Sequence, residues 1–189
     1  MDYRANVDKI QFSDGPNARF NSIYDINFVD ADPPPSEPVT LAEALAHCLI
    51  DNLGQDNSIV EAFITTARQM CEIYTAVGFI NRDIVCTLNN SLGGIYLPYG
   101  PVVDITSVKD YDGNTVTDFT LKGVAFKQLT EPKYSFLEVE YNAGYATLPQ
   151  QLKTALLCQV AYLYEHRGDE NEGMMSPITK SILKPYRRV

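Results

Sequence analysis

Residues 141–167, YNAGYATLPQQLKTALLCQVAYLYEHR, decide how this chain is read. A short aromatic strand ends at Tyr141, and Gly144 supplies a turn. Pro149 then opens an amphipathic helix, at a position where its missing N–H costs nothing. Leu152, Ala155, Leu156, Val160 and Leu163 recur at helical spacing and form a buried stripe that ends near Arg167-Gly168. Tyr141, Gly144, Tyr145 and Pro149 make up a structural joint between strand and helix, and no base or nucleophile accompanies the tyrosines. A tight turn of this kind needs free access to positive φ, so Gly144→Val is expected to disturb it.

Upstream of the joint the pattern is β. Ile84, Cys86 and Leu88 alternate with Asp83, Val85 and Thr87. Ile95-Tyr96-Leu97 and 102–111 read as strands, with Pro98 and Pro101 breaking them. Asp112-Gly113 predicts a two-residue hairpin turn. Strands over 115–121, 125–129 and 136–141 complete a small antiparallel sheet. Before the β segment come two helices. Thr40 and Glu43 predict a capping box ahead of Leu41, Leu45, Cys48 and Leu49, with Gly54 as the stop. Ser58 and Glu61 predict a second capping box ahead of Val60, Phe63, Ile64, Ala67, Met70, Cys71 and Tyr74, closed by Gly78. The short link between them predicts a helical hairpin. After the long helix, Ser176-Pro177 starts a short one with Ile178, Ile182 and Leu183 inward. The expected class is therefore mainly α with a small antiparallel β insertion (α+β): helical hairpin, β segment, long C-terminal helix, short terminal helix.

Residues 1–37 differ from the rest. They are polar and turn-rich, and Pro33-Pro34-Pro35 favours a stiff extended linker. Ile10, Phe12, Phe20, Ile23, Tyr24, Ile26, Phe28 and Val29 are too scattered for a separate core and suit docking on a neighbour. The expected organisation is an arm and linker over 1–37 and one domain over 38–189.

At 189 residues and a formal net charge of −9, the chain has room for a real core and is ill-suited to a sequence-independent grip on nucleic acid. Cys48, Cys71, Cys86 and Cys158 form no CxxC pair and read as reduced core residues. No segment reaches the roughly 18 apolar residues of a membrane helix, and the first residues lack the pattern of a signal peptide. Neither His47 nor His166 has a second ligand at metal spacing, so no metal and no cofactor is expected. Asp110, Asp112 and Asn114 resemble a calcium loop until position twelve, which is Leu121 instead of a bidentate Glu. Glu138 and Glu140 share a solvated strand face. Arg167-Gly168-Asp169 is a helix end needing glycine for its left-handed cap. Gly93-Gly94 leads into a strand and lacks the Lys of a phosphate loop. One charge feature is sharper: Lys180, Lys184, Arg187 and Arg188 occur near the C-terminus of an acidic chain with no acid among them. They suit either the end of a helix dipole or a hook for an acidic partner.

The order of segments PVTLAEALAHCL, IVEAFITTARQMCEIYT, IYLPYGPVVDITSVKDYDGN, VEYNAGYATLPQQLKTALLCQVAYLYEHR and ITKSILKPYRRV resembles the head–tail connector (adaptor, head-completion) proteins of long-tailed bacteriophages, over about residues 38–189. Leu183, Lys184, Pro185, Tyr186 and Arg187 match that family's terminal L-x-P-Y-R, and Tyr141, Gly144 and Tyr145 match its strand-to-helix joint. The resemblance implies a non-catalytic virion protein of the neck, made in the bacterial host cytoplasm. It implies a ring of about a dozen copies closed by head-to-tail contacts, lying under the portal protein and joined to a stopper or tail-completion protein. DNA would pass through its lumen without specific binding, and no membrane is involved. Such a ring carries on the order of a hundred negative charges, a field that repels phosphates. Lys184, Pro185, Tyr186, Arg187 and Arg188 are the expected partner contacts. Two alternatives stand beside this one. A stopper or tail terminator would be β-dominated, and a small thiol enzyme would pair Cys48 or Cys158 with His166.

Overall fold

Period-two alternation at Arg82–Asn89 and Phe136–Ala143 builds the centre of the β structure. A computed structural model describes residues 23–28, 36–50, 54, 56–89, 95–130, 136–169 and 174–188. In chain order these hold β1 (Ile23–Phe28), α1 (Leu41–His47), α2 (Asn57–Thr75), β2 (Arg82–Asn89), β3 (Ile95–Tyr96), β4 (Val102–Lys109), β5 (Thr120–Lys122), β6 (Gln128–Thr130), β7 (Phe136–Ala143), α3 (Gln150–Glu165) and α4 (Pro177–Leu183), the last followed by a 3-10 turn (Lys184–Tyr186). The fold is mixed α+β. β1 is added to the expected strands, and the strands divide between two sheets where one small sheet was expected.

Two compact units divide the chain. One takes β1 and Arg82–Ala143, the other 36–81 and Gly144 onward, so the helical unit is discontinuous in sequence. The β unit has a sheet in the order β1-β2-β7-β4 and a smaller one in the order β3-β6-β5. β2 and β7 pair antiparallel so that Ile84 faces Tyr141, Cys86 faces Val139 and Leu88 faces Leu137. All six are buried, so one register puts every apolar side chain of both strands into the same core. Between them lie polar cross-strand pairs. On β4 and β7, Lys109 Nζ reaches Glu138 at 3.6 Å and the Ser107 hydroxyl donates to Glu140 at 3.2 Å. β1 comes from the stretch expected as an arm and pairs with β2 from Ile23↔Leu88 to Phe28↔Ile84.

The hairpin after β4 is wider than expected. The carboxylate of Asp110 accepts from the amides of Asp112 (3.0 Å) and Asn114 (2.8 Å) and from the Asn114 side chain (3.1 Å). These bonds set a five-residue loop between the bridged residues Lys109 and Thr115, with Gly113 at φ 83°. Thr115 makes only an isolated bridge, and the strand expected from there is the shorter β5.

The helical unit packs α1, α2, α3 and α4 around Leu45, Val60, Ile64, Leu152, Leu156 and Leu183. The Thr40 capping box is present, with Thr40 Oγ1 accepting from the Glu43 amide and Glu43 accepting from the Thr40 amide. Helix ends depart from the glycine expectation. α1 closes with Leu49 at φ 55°, the Ile50 amide bonding to Leu45 O (3.0 Å) and the Leu49 amide to Ala46 O (3.4 Å). This is a Schellman closure made without glycine, and it leaves Leu49 exposed. α2 ends on Ala76, also at φ 55°, ahead of Gly78. Its N-cap is Asp56, without a side-chain cap, because that carboxylate accepts from the Tyr164 hydroxyl at 2.6 Å; Ser58 lies inside the helix. Pro149 is the N-cap of α3 and Pro177 the first residue of α4. On α4 the inward residues are Thr179 and Leu183, with Ile182 half-buried; Ile178 points out. Residues 1–22, Val29, Pro33 to Pro35 and Gly93-Gly94, each given a reading above, lie outside the described residues.

Candidate interaction surface

The basic C-terminal stretch is held on its own helical unit. The Arg188 amide donates to Thr75 O at 3.0 Å, at the last turn of α2. The Arg187 guanidinium lies 5.2 Å from the centre of the Tyr74 ring, a cation–π distance. Cations gathered at a helix C-terminus meet the negative end of its dipole. The Tyr186 hydroxyl donates to Gln151 Oε1 on α3. Lys184 and Pro185 are exposed, Tyr186 is half-buried, and Lys180 is exposed on α4. Gln151, Thr154, Ser181, Ile182 and Pro185 line an open groove of about 380 Å³. None of these five titrates near neutral pH, so the groove offers contact and no acid–base chemistry.

The joint residues fall in two settings. Tyr141 is buried in the β unit, its hydroxyl donating to Pro98 O at 3.0 Å, and burial pushes its phenol well up. Gly144 belongs to the helical unit at φ 108°, and a Cβ there would stand 1.8 Å from Ile80 O. The Tyr145 amide next to it donates to Gly78 O at 3.2 Å. Burial, with Tyr186 nearby, raises the Tyr145 phenol against the opposing effect of Arg188.

The sequence reading missed an ionic network under α2. Arg68 is fully buried (0%), and its Nε lies 2.8 Å from Glu37 while Nη1 lies 2.9 Å from Glu72, itself 2% exposed. Nη2 adds a bond to Glu37 at 3.3 Å. Thr65 donates to Glu37 (2.9 Å) and the Phe79 amide donates to Glu72 (2.8 Å). Burial works against the Arg68 charge, but Glu37 and Glu72 outweigh it and hold its pKa above the ordinary arginine value. The network ties the chain just before α1 to the middle of α2 and the turn after it. An Arg and a Glu at i,i+4 were visible in the sequence. Glu37, 31 residues from Arg68, was not.

Neck chains of gene transfer agent particles share this fold. A chain of the neck of an empty gene transfer agent (GTA) particle, computed with C6 symmetry, superposes with a TM-score of 0.72 over 88% of this chain and 96% of its own, at 22% identity. A chain of the virion of a native gene transfer agent particle gives 0.71 with the same coverage and identity. A chain of the neck of a native GTA particle, computed with C12 symmetry, gives 0.67 at 21% identity, again over 88% and 96%. No family model matches the sequence, and no curated protein does.

The thiols are not poised for nucleophilic work. Burial, reinforced by Glu72, pushes Cys71 up to about 12. Burial raises Cys158, and burial with the Glu165 charge raises Cys48. A thiolate is the reactive form, so these shifts lower reactivity. Cys158 and His166 are eight residues apart at the two ends of two helical turns, roughly 12 Å along the axis. His166 Nδ1 instead faces Tyr162 O at 3.0 Å, and its ring stacks on Tyr162 at 4.2 Å. Gly168 of the Arg-Gly-Asp tripeptide is at φ 84°, with the Asp169 amide bonded to His166 O, a helix-end geometry. Among the described residues no group of three or more His, Cys, Asp or Glu is arranged to hold a metal ion, and no helix is long and apolar enough to cross a membrane.

Proposed function

We propose that this chain is a structural subunit of the neck of a phage-like virion. It works as an adaptor that forms a ring under the portal, joins the head to a stopper or tail-completion protein, and lets DNA pass. The observation that carries this reading is the fold shared with gene transfer agent neck chains across 88% of this chain and 96% of theirs. The C6 and C12 symmetries of those necks support a cyclic homo-oligomer of about a dozen copies. The net charge of −9 favours a lumen that repels phosphates instead of gripping them. The exposed Lys180 and Lys184, beside Arg187 and Arg188, are the proposed docking points for an acidic surface of the portal. Tyr186 holds this segment against α3 through Gln151, and the exposed Pro185 lies beside Lys184 on the proposed docking surface. Assembly takes place in the bacterial host cytoplasm, and the arm adds contact area once copies meet.

The test mixes the purified chain with its portal and follows complexes by sedimentation and negative-stain microscopy. Rings seated on the portal are expected. Lys180→Gln with Lys184→Gln should weaken portal binding while lowering the melting temperature by only a few degrees, the loss of two weak dipole contacts. Deleting 184–189 is a less clean test, since it also removes the bonds to Thr75 and Gln151. A chain that stays monomeric, ignores the portal and is absent from virions sinks the proposal.

A further inference from the structure

α2 has two faces without exposed charge. Val60, Ile64, Ala67, Cys71 and Thr75 are buried on the inner one. Ile59, Ala62, Thr66, Gln69 and Ile73 recur at spacings of three and four on the opposite side, about 180° away at 100° per residue. Ile59 and Ile73 are 39% and 53% exposed. The Thr66 hydroxyl is turned back onto Ala62 O at 2.9 Å, which leaves its methyl for contact. Of the charged residues of this 19-residue helix, Arg68 and Glu72 are drawn inward into the Glu37 network, leaving Glu61 on the outside. A surface helix of a globular protein typically carries charged and polar residues on the face away from the core, and this stripe carries no charged residue. Depletion of charge also marks the core of a protein–protein interface.

We infer that the Ile59–Ala62–Thr66–Gln69–Ile73 stripe is the face by which one copy of this chain packs on the next. The inference rests on the ring reading above. Two observations favour a second copy as the occupant. Chains of this fold belong to necks computed with C6 and C12 symmetry, in which identical chains are repeated around one axis. Each copy carries −9, so away from the basic patch at Lys180, Lys184, Arg187 and Arg188 the charged surfaces of two copies repel. A seam without charge gives them a place to meet without that penalty. The spacing is that of a coiled-coil seam, suited to receiving side chains of a neighbour between its own. A cyclic ring closes head to tail, so the stripe meets a different face of the next copy.

The experiment compares full-length chain with Ile73→Glu, Ile73→Lys and Ile59→Glu, reading ring formation by sedimentation and microscopy and folding by circular dichroism and melting. Ile178→Glu, at an exposed position on α4, is the control. Both charges at position 73 should raise the concentration for half-assembly by about tenfold or more, the scale of an interface hot spot, without shifting the melt, and the control should assemble normally. Loss with Glu but not Lys would mean that added negative charge, and not the seam, was responsible, and the inference falls. Normal rings from all the variants overturn it while leaving the ring reading standing. A wild-type chain that forms no ring, even on the portal, overturns the ring reading itself. If the arm covers the stripe instead, deleting 1–22 from the monomer will increase binding of a hydrophobic dye, and α2 is then not the seam.

Discussion

Arg68→Met tests whether the buried ionic network is a structural support. The substitution keeps length and most of the packing volume but removes the bonds at 2.8 and 3.3 Å to Glu37 and at 2.9 Å to Glu72. Glu37 retains Thr65 and is 17% exposed, so water can replace what it loses. Glu72, 2% exposed, keeps the Phe79 amide but loses the Arg68 Nη1 bond at 2.9 Å. Breaking a buried pair from one side costs about 3–5 kcal/mol, most of it the penalty of the stranded charge. With a urea slope of about 2 kcal/mol per molar, the midpoint should fall by roughly 1.5–2.5 M. Far-UV circular dichroism against urea at pH 7 reads this directly. Adding Glu72→Gln to Arg68→Met removes a buried carboxylate charge while leaving an acceptor for Phe79, and should restore about 1–3 kcal/mol. A loss under about 1 kcal/mol for Arg68→Met, or a double variant weaker than the single one, refutes the reasoning.

Gly144→Ala should be nearly as harmful as Gly144→Val, because the first carbon already meets Ile80 O at 1.8 Å; a loss of about 3 kcal/mol or more is expected from overlap and positive φ together, read as a drop in melting temperature. Glu43 is held at about 2, chiefly by the hydrogen bond from Lys153 and next by the Thr40 amide. Its folded pKa lies below the unfolded value of 4.5, so its contribution is complete above pH 4.5 and fades as the pH falls toward 2. On this exposed surface that amounts to about 0.5 kcal/mol, and Lys153→Met should flatten the difference in urea midpoint between pH 5 and pH 2.5. In native protein at pH 8 a thiol reagent should label Cys48 and Cys158 slowly and spare Cys71 and Cys86, all four reacting in urea; fast labelling of Cys71 contradicts the packing described.

Local chemistry was legible where one segment decides its own fate. The Thr40 capping box and the α3 stripe of Leu152, Ala155, Leu156 and Val160 depend on neighbours three or four residues away, and both form; α4 starts at Pro177 as read, but Ser176 makes no side-chain cap and its amide bonds to Gln159 instead. Helix ends were less legible. Leu49 and Ala76 occupy the left-handed conformation that glycine favours, because the Ile50–Leu45 and Ala76–Glu72 bonds settle the ends where the core requires. Ser58 lost the cap of α2 when the helix began two residues earlier, at Asn57, and Asp56 was taken by Tyr164 across 108 residues. Long-range partners of this kind leave no mark in local spacing. The same holds for Glu37 and for β1, whose alternation became a strand only when β2 offered an edge.

The interrupted helical unit has a consequence for synthesis. α2 leaves the ribosome with its core-facing side already complete, but α3, which covers that side, begins only at Gln150. At roughly 5–20 residues per second the wait between Thr75 and Gln150 lasts about 4–15 s. During that interval both bare faces of α2 are open to water and to other nascent chains. A polysome translating this message therefore brings unfinished α2 helices close together before any subunit is whole. Helices that are safe in the finished protein become the point at which chaperones and premature association compete.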